Sequence, residues 1–262
     1  MDLGLEGRTC VVTGASSGVG RATAERLSAE GARVLLVARG EAALRAAAEA
    51  CGPRAEWLAC DVTDPTADEE IVAEAVEQMG GIDVLVNNAG TSFVGAVDDL
   101  TDEDWLDQYA LNVLAPMRLM RAAAPLMARR GGGRIVNVCS SSAKRPSATN
   151  AAYSVTKAAQ LSLSRIFADL WAAHGVLVNA VTPGAVASEL WMAPGGLADQ
   201  VAAARGISRD EAIALQAAKA PLGRLAAPGE IADVVAFLCS ARASIVSGAA
   251  WSADGGAVAI II

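Results

Sequence analysis

Short apolar runs alternate along this chain with longer stretches in which apolar residues recur at helical spacing. Apolar runs of about four to eight residues are typical of strands that are buried on both faces of a sheet. Seven such runs predict strands at residues 8–13, 33–38, 55–60, 82–86, 134–139, 176–181 and 249–252. Because helical patterns separate these runs, we predict an α/β fold, a doubly wound parallel sheet of about seven strands with right-handed crossovers and helices on both faces.

The segments between the predicted strands carry the helices. We predict them after Gly20 through residue 30, at 41–50 and 66–79, as one or two helices within 101–130, from Asn150 to about 174, and at 228–240. Residues 185–221 show no strand pattern, only two short amphipathic pieces, and a long insertion of this kind usually covers a substrate site. We therefore predict a substrate lid at 185–221 within one domain, residues 1–262, since no linker or repeat interrupts the chain.

Composition and charge exclude several classes of protein. Hydrophobic residues make up 53% of the 262 positions and charged residues 19%, which predicts a large core, and the net charge of −8 argues against a nucleic-acid partner. No apolar run approaches the roughly 18 residues of a membrane span. His174 is the only histidine, so neither a metal site nor a Ser/His hydrolase is expected. The five cysteines form no C-x-x-C pair, and without a secretory signal they predict buried thiols in a reducing, cytoplasmic compartment: Cys10, Cys51, Cys60, Cys139 and Cys239.

A glycine-rich turn follows the first predicted strand and precedes a helix. A strand, a glycine turn and a helix in this order form the dinucleotide-binding arrangement of Rossmann-type folds, in which phosphate meets the helix N-terminus. The spacing is G-x-x-x-G-x-G, and an ordinary strand–helix turn would account for one or two of the glycines but hardly for three. The two serines are candidate phosphate donors or, equally, helix caps. The predicted cofactor residues of this turn are Gly14, Ser16, Ser17, Gly18, Val19 and Gly20.

The ends of the next strands bear on which cofactor binds. An acidic residue after the second strand normally binds the ribose 2′-hydroxyl of NAD, whereas arginine accommodates a 2′-phosphate. Ala38 and Arg39 stand there, so NADP(H) is favoured and NAD(H) is the alternative, in which Arg39 stacks on adenine or faces solvent. Asp61, next to Val62, is a candidate acceptor for the adenine amino group. The segment Asn87, Asn88, Ala89 and Gly90 is predicted either to line the adenosine side of the cleft or to be a simple turn.

Tyr153 and Lys157 stand four residues apart on one face of a predicted helix. A cation at that spacing favours the phenolate and would move the tyrosine pKa toward neutral pH, where the side chain can transfer a proton. Ser140 ends the fifth predicted strand, and its hydroxyl can converge with this pair on one substrate oxygen. A nucleophilic serine is the rival interpretation, but no histidine lies near it in sequence. Asn112, alone in an apolar stretch, is either a catalytic amide or a residue that kinks its helix.

Together these residues resemble the short-chain dehydrogenase/reductase family, in its 3-oxoacyl reductase-like branch. The resemblance covers nearly the whole chain and rests on order and spacing rather than on any single motif. The segments that carry it are Gly14/Gly18/Gly20, Asp61, Asn87 to Gly90, Asn112, Ser140, Tyr153, Lys157, Asn179, Pro183-Gly184, Leu222 to Arg224 and Asp254 to Gly256.

The resemblance implies a mechanism. Hydride passes between nicotinamide and a carbonyl carbon, Tyr153 exchanges the proton of the carbonyl oxygen, and Ser140 binds that oxygen. Lys157 lowers the tyrosine pKa and holds the nicotinamide ribose, and Asn112 positions a water for proton relay. Pro183, Gly184, Val186 and Ser188 are implied beside the cofactor, with the Ser188 hydroxyl within reach of the carboxamide. The family also implies a homotetramer or homodimer built on the helices of Asn112 and Tyr153.

The small molecule implied is a free ketone or secondary alcohol of modest size. Carrier-protein-dependent members tend to have basic residues before the fifth strand and after the tyrosine helix, where this chain has Gly131, Gly132 and His174. Lys144 and Arg145 either attract an acidic substrate or form an ordinary solvated loop. The competing hypotheses are an NAD-dependent secondary alcohol dehydrogenase, a catalytically idle dinucleotide-binding sensor, and a dehydratase or epimerase on the same fold. The apolar tail 257–262 is expected to pack on its own subunit or on a partner.

Overall fold

The computed structural model describes residues 1–259, and these contain seven strands in one parallel sheet. The sheet order is β3-β2-β1-β4-β5-β6-β7, and every neighbouring pair is parallel. The predicted α/β fold and strand count are therefore confirmed. The strands are β1 (Thr9–Thr13), β2 (Arg33–Ala38), β3 (Ala55–Ala59), β4 (Val84–Asn87), β5 (Gly133–Val138), β6 (Val176–Pro183) and β7 (Ala250–Ala253).

Within residues 1–259, ten α-helices lie between the strands. They are α1 (Gly18–Ala29), α2 (Glu41–Cys51), α3 (Ala67–Met79), α4 (Asp102–Tyr109), α5 (Ala115–Arg129), α6 (Ala151–Trp171), α7 (Glu189–Met192), α8 (Leu197–Arg205), α9 (Arg209–Ala217) and α10 (Pro228–Cys239). A five-residue π-helical segment, Ala110–Leu114, joins α4 to α5. The sequence predicted all of them except the four-residue helix α7, which is too short to show a period. The tail 257–262 is predicted to pack on its own subunit or on a partner, and its last three positions lie outside the described residues.

Both faces of the sheet are covered, as the unbroken apolar runs predict. Alternate residues of a strand point to opposite faces, so Val12 and Leu36 pack with α1 and α10 in one core cluster. Their neighbours Val11 and Leu35 pack with α3, α5 and α6 in the other. The two clusters hold the helices against the sheet. The ends of the strands can therefore position the side chains of a site.

The strand order reverses between β1 and β4, because β2 lies on one side of β1 and β4 on the other. In a doubly wound sheet the crossover helices on the two sides of such a point lie on opposite faces. A crevice therefore opens at the carboxyl ends of the strands, where ligands of this fold class bind. The glycine turn after β1 and the segment after β4 meet at this crevice.

Two further features of the described residues concern the surface. β7 is exposed over most of its length, and it forms one edge of the sheet. Among residues 1–259, none of the helices combines the length and the apolar character that a membrane crossing needs.

Candidate active site

A single large cleft of about 1690 Å³ follows the carboxyl ends of the strands. Sites for one small ligand measure roughly 300–1,000 Å³, so this volume has room for a dinucleotide together with a second molecule. The cleft walls include all of the predicted cofactor and catalytic residues apart from Gly20 and Asn112, which are buried just behind them. The convergence that the sequence predicted is therefore present in the fold.

The glycine turn is shaped by two backbone positions and one close contact. Gly14 and Gly18 have φ values of +64° and +54°, which side chains other than hydrogen rarely allow. Gly20 lies in the first turn of α1, and a Cβ there would sit far inside van der Waals contact of the Gly14 carbonyl oxygen and the Asn88 side-chain nitrogen. Gly20 is thus required for packing of the turn, while Gly14 and Gly18 are required for its curvature.

The N-terminus of α1 faces this turn with its backbone N–H groups. Ser17 is the N-cap residue, as one of its two interpretations predicts, but its hydroxyl makes no capping hydrogen bond. Its side chain is exposed and lines the cleft, as does that of Ser16. An exposed hydroxyl beside free N–H groups and the positive end of a helix dipole is a suitable binding site for phosphate.

Thr13 and Asn88 tie the glycine turn to the neighbouring strand. The Asn88 side-chain amide donates to the carbonyl oxygens of Thr13 and Gly14 at 2.9 and 3.3 Å. The Thr13 hydroxyl accepts from the backbone N–H groups of Asn88 and Ala89 at 3.0 and 3.1 Å. Asn88 therefore stabilises the central strands, and it lines the cleft together with Ala89 and Gly90. Thr13 was missed by sequence analysis, because a threonine inside a strand carries no distinctive signal.

The adenosine end of the cleft is formed by the ends of β2 and β3. The Arg39 side chain is 81% exposed, and its nearest carboxylate is Asp61 at 3.8 Å. Asp61 receives hydrogen bonds from the backbone N–H and hydroxyl of Thr63 at 3.0 and 2.8 Å. Although burial raises the pKa of Asp61, those two bonds and the Arg39 charge lower it overall. Val62 lines the cleft next to Asp61. Residue 38, the last of β2, is an alanine without a carboxylate, so Arg39 is the charged residue at the end of this strand.

The opposite end of the cleft holds Ser140, Tyr153 and Lys157. Ser140 follows the last residues of β5, and its Oγ accepts from the backbone N–H of Ser142 at 3.1 Å. Tyr153 and Lys157 project from the first turns of α6, with the Lys157 Nζ 5.8 Å from the centre of the tyrosine ring. Tyr153 is half-buried, whereas Lys157 is buried. The serine hydroxyl and the phenol thus face one region of the cleft from two different elements.

Burial raises the pKa of Tyr153 to about 12, while hydrogen bonding with Ser140 lowers it and Cys139 raises it further. The sequence predicts that Lys157 lowers the pKa of Tyr153. In the protein without a cofactor that prediction is wrong, because the pKa is raised. The Lys157 ammonium group lies 5.8 Å from the centre of the tyrosine ring, but it makes its hydrogen bonds to other groups. It donates to the carbonyl oxygen of Val138 at 3.0 Å and to the Oε1 of Gln160 at 2.9 Å. Tyr153 is therefore protonated throughout the neutral range.

Burial also lowers the pKa of Lys157 itself, to about 8, and the neighbouring Cys139 opposes the change. Both oxygens that bind the ammonium group belong to uncharged groups, so its charge is only partly compensated. Gln160, which supplies one of them, was missed because glutamine on a helix is usually a surface residue. Lys157 is thus a buried cation that still has hydrogen-bonding capacity toward the cleft.

Asn112 lies in the π-helical segment between α4 and α5, and it is completely buried. Its amide donates to the Gln108 Oε1 at 3.0 Å and to the Thr156 hydroxyl at 3.1 Å, which joins α4 to α6. Its Oδ1 has no partner among the described residues. That oxygen and the Lys157 Nζ lie 3.3 and 3.4 Å from where a Cβ on Gly90 would stand. Asn112 therefore sits at a helix irregularity, as one of the two interpretations predicts, and it presents an unused acceptor near Lys157.

The remaining wall follows β6. Pro183 is the last residue of that strand, and a Cβ on Gly184 would stand 3.1 Å from the Asp254 backbone, so glycine is needed for this close approach. Val186 forms a bridge to Ala226, and Ser188 precedes α7. A Cβ on Gly18 would lie 3.2 Å from the Ser188 Cβ, which shows that this segment reaches over the glycine turn. The segment after β6 thus lines the cleft as far as the glycine turn.

A buried polar chain behind the site had no sequence signal. Asn87 donates to the Asn137 Oδ1 at 2.8 Å, and Asn137 donates to the Ser164 hydroxyl at 2.5 Å. These residues connect β4, β5 and α6 beneath the catalytic side chains. Asn179, part of the resemblance, is also structural: it donates to the Val246 carbonyl and accepts from the Ala249 N–H, so it anchors the loop before β7. None of these three asparagine side chains lines the cleft.

A nucleophilic Ser140 or Cys139 would need a base beside it, and the structure places no histidine there. His174, the only histidine, stacks with Trp171 at a ring distance of 5.5 Å at the far end of α6, away from Ser140. Burial raises the pKa of the Cys139 thiol to about 12, which makes it a poor nucleophile. In the part of the chain that is described, four cysteines are buried, Cys51 is half-buried, and no three potential ligand side chains cluster as a metal site would require.

The comparisons with known proteins agree with this geometry. Residues 8–195 match the family model described as short chain dehydrogenase. Galactitol 2-dehydrogenase of Agrobacterium fabrum is 33% identical over 96% of this chain and 98% of the relative. The 3-oxoacyl-[acyl-carrier-protein] reductase of Vibrio cholerae is 33% identical over 97% and 98%. The crystal structure of L-sorbose reductase from Gluconobacter frateurii, complexed with NADPH and L-sorbose, superposes with a TM-score of 0.93 at 35% identity over 100% of both chains. With the glycine turn, the serine, the tyrosine and the lysine around one cleft, the chain belongs to the short-chain dehydrogenase/reductase family.

Proposed function

We propose that the protein is an NADP(H)-dependent oxidoreductase that interconverts a ketone and a secondary alcohol. One observation carries the proposal: Ser140 and Tyr153 face a single region of a cleft whose other end is a phosphate-binding glycine turn. The positive-φ glycines, the unbonded Ser17 hydroxyl and the unpartnered Asn112 Oδ1 fit a dinucleotide with polar groups at both ends. The nicotinamide of that cofactor supplies or accepts the hydride.

The chain's own residues handle the proton and the substrate oxygen. Ser140 donates a hydrogen bond to the carbonyl oxygen, and Tyr153 transfers its phenolic proton to that oxygen as the alcohol forms. With a pKa of about 12, raised by burial, Tyr153 holds its proton at neutral pH and is ready to act as an acid. Lys157 holds the cofactor ribose, and the free Asn112 Oδ1 holds a water through which the tyrosine regains a proton. These four residues are the proposed catalytic group.

The proposed preference for NADP(H) rests on Arg39. Ala38 offers no carboxylate to a ribose hydroxyl, and the exposed Arg39 guanidinium offers charge-assisted hydrogen bonds to a 2′-phosphate. The related L-sorbose reductase was solved with NADPH, which agrees with this choice. The proposed cofactor-binding residues are Gly14, Ser16, Ser17, Gly18, Val19, Gly20, Arg39, Asp61, Val62, Asn88, Ala89, Gly90, Tyr153, Lys157, Pro183, Gly184, Val186 and Ser188.

The substrate is proposed to be a small ketone or the matching alcohol. Two of the related proteins, galactitol 2-dehydrogenase and L-sorbose reductase, are named for a sugar alcohol and a ketose. In the single domain 1–262, we assign the role of substrate lid to residues 185–221. Helices α8 and α9 of this segment line the same cleft as Ser140 and Tyr153.

Assembly into a homotetramer, or at least a homodimer, is proposed from exposed apolar side chains. On α4, Leu106 is 68% exposed and Tyr109 is half-exposed, and on α6, Ile166 and Leu170 are 53% and 60% exposed. Such residues on two adjacent helices form a surface that a second copy would cover. The exposed edge strand β7 offers a second surface, as a tetramer requires. The free cysteines suit a reducing cytoplasm, which we propose as the location.

The proposal is tested by following NADPH and NADH consumption with a panel of ketoses, β-keto esters and simple ketones. NADPH-dependent reduction of at least one ketone is expected. Turnover with NADH alone would favour the NAD-dependent alcohol dehydrogenase instead. Tight cofactor binding without turnover of any ketone or alcohol would contradict the proposal and favour an idle dinucleotide-binding sensor.

A further inference from the structure

We propose that the ketone substrate carries an anionic group, a carboxylate or a phosphate, that binds three basic side chains at the substrate end of the cleft: Arg145, Arg205 and Lys219. This inference rests on the proposed function, because it names the chemical class of that enzyme's substrate. It goes beyond the related sugar dehydrogenases, whose named substrates are uncharged.

The three cations come from three separate elements. Arg145 lies in the loop between Ser140 and α6, Arg205 is the last residue of α8, and Lys219 follows α9. All three line the cleft that also contains Ser140 and Tyr153. Partial burial, and then the charges of Arg205 and Arg145, lower the pKa of Lys219, so each arginine lies near enough to Lys219 to repel it. Like charges gathered from three elements are unfavourable unless an anion lies between them.

Two of the other cations that line the cleft face carboxylates. Arg224 makes a paired hydrogen bond to Glu230 at 2.6 and 2.7 Å, and Arg39 faces Asp61 at 3.8 Å. In contrast, within residues 1–259 neither Arg145, Arg205 nor Lys219 forms an ion pair. Lys219 has only the neutral Gln216 Oε1, at 2.7 Å. In a protein with a net charge of −8, three cations without carboxylates in one cleft wall stand out as a binding site.

The structure also separates the two basic residues that the sequence treated as a pair. The Lys144 Nζ donates to the Ala250 carbonyl oxygen at 2.8 Å and to the Ser252 hydroxyl at 3.0 Å, so it holds the Ser140 loop against β7. Lys144 does not line the cleft, whereas Arg145 does. The solvated-loop interpretation is therefore wrong for Lys144, which is tied to β7, whereas Arg145 is exposed and lines the cleft.

Most carboxylates that line the cleft are occupied elsewhere. Glu230 and Asp61 face the arginines named above, and Asp254 accepts from the backbone N–H groups of Gly256 and Val258. Asp104 belongs to the capping box of α4. The cation cluster is thus not neutralised by these side chains, and a substrate anion would complete it. Binding at this position would leave the ketone carbon of a short substrate in the region that Ser140 and Tyr153 face.

The experiment uses two matched pairs of ketones: ethyl acetoacetate with acetoacetate, and D-fructose with D-fructose 6-phosphate. Steady-state kcat/KM is measured for each with NADPH on wild type, Arg205→Gln, Lys219→Gln and Arg145→Gln. In wild type we expect kcat/KM for the anion to exceed that for its neutral partner in at least one pair. Each substitution should lower that ratio by about fivefold, the effect of one semi-exposed charge, and added salt should lower it as well. A preference for acetoacetate would indicate a carboxylate substrate, and a preference for D-fructose 6-phosphate would indicate a phosphate.

Arg129→Gln is the matched control, since it removes one positive charge from an exposed arginine of α5 outside the cleft. It should leave the ratio unchanged. Ratios near one in both pairs, or an equal loss in the control, would overturn the proposal.

Calorimetric binding of the same four ketones to the NADP⁺-saturated protein separates this inference from the proposed function. If none of the ketones is turned over, the reductase assignment fails, and the binding result alone decides the cation site. Tighter binding of an anion that is lost in the Arg205→Gln/Lys219→Gln double variant would support the site. Equal affinity within both pairs, including no binding of any member, would overturn it.

Discussion

The Lys157 ammonium group donates a hydrogen bond to the carbonyl oxygen of Val138, with an N–O distance of 3.0 Å. This bond joins the first turns of α6 to the last residue of β5, just before Ser140. A second bond, to Gln160, holds the same group from the helix side. A buried cation is thereby positioned between neutral acceptors and kept near the cleft, and the cost of its burial appears as a lowered pKa of about 8.

That burial predicts a pH-dependent stability. Unfolded Lys157 titrates near 10.5, so between about pH 8 and 10.5 the unfolded state binds more protons, and the free energy of unfolding rises with pH. For protein without added cofactor, the titration of this group raises the free energy of unfolding by about 1 kcal/mol between pH 7 and 9. Urea denaturation of wild type and Lys157→Met across this range should show the wild type gaining that amount relative to the variant. A difference that is independent of pH would contradict the lowered pKa.

Gly20 allows the glycine turn to pack against the next strand. In Gly20→Ala, the new methyl group would collide with the Gly14 carbonyl and with Asn88, neither of which is a freely movable group. We expect a loss of about 1–3 kcal/mol of stability, typical of overpacking, together with weaker cofactor binding. Gly229→Ala is the control, because a Cβ at that helical position has no neighbour within 4 Å. Thermal unfolding of both variants checks the prediction, and equal stability of the two would contradict it.

Arg39 is expected to distinguish the two nicotinamide cofactors. Arg39→Gln removes the only charge at the end of β2 that can bind a 2′-phosphate, so the Kd for NADPH should rise about tenfold while that for NADH stays unchanged. Fluorescence titration measures both values. Arg45→Gln is the control, since Arg45 lies nearby on α2 but pairs with Glu41 and stacks over Trp57. An unchanged NADPH affinity in Arg39→Gln would assign the preference elsewhere.

The sequence predicted the sheet because its central strands are buried on both faces and therefore read as unbroken apolar runs. It predicted the glycine turn and the Tyr153/Lys157 pair because both have fixed spacing. The direction of the Lys157 side chain could not be read in the same way, since it depends on the Val138 carbonyl, which is distant in sequence. Sequence analysis missed two further features for the same reason. They are the buried contact between Asn87 and Asn137 and the cluster of Arg145, Arg205 and Lys219. Each of these joins residues from elements whose relative placement only the fold determines.

The central claim is that Tyr153 supplies the proton in a hydride transfer. Tyr153→Phe removes the hydroxyl and keeps the ring, so NADPH binding should stay within about twofold of wild type, whereas kcat for ketone reduction should fall by about 10² to 10⁴, the usual effect of a lost general acid. Both quantities are measured on the same preparation, by fluorescence titration and by NADPH consumption. Lost turnover with intact NADPH binding is the result we predict, and turnover retained in Tyr153→Phe would contradict the mechanism.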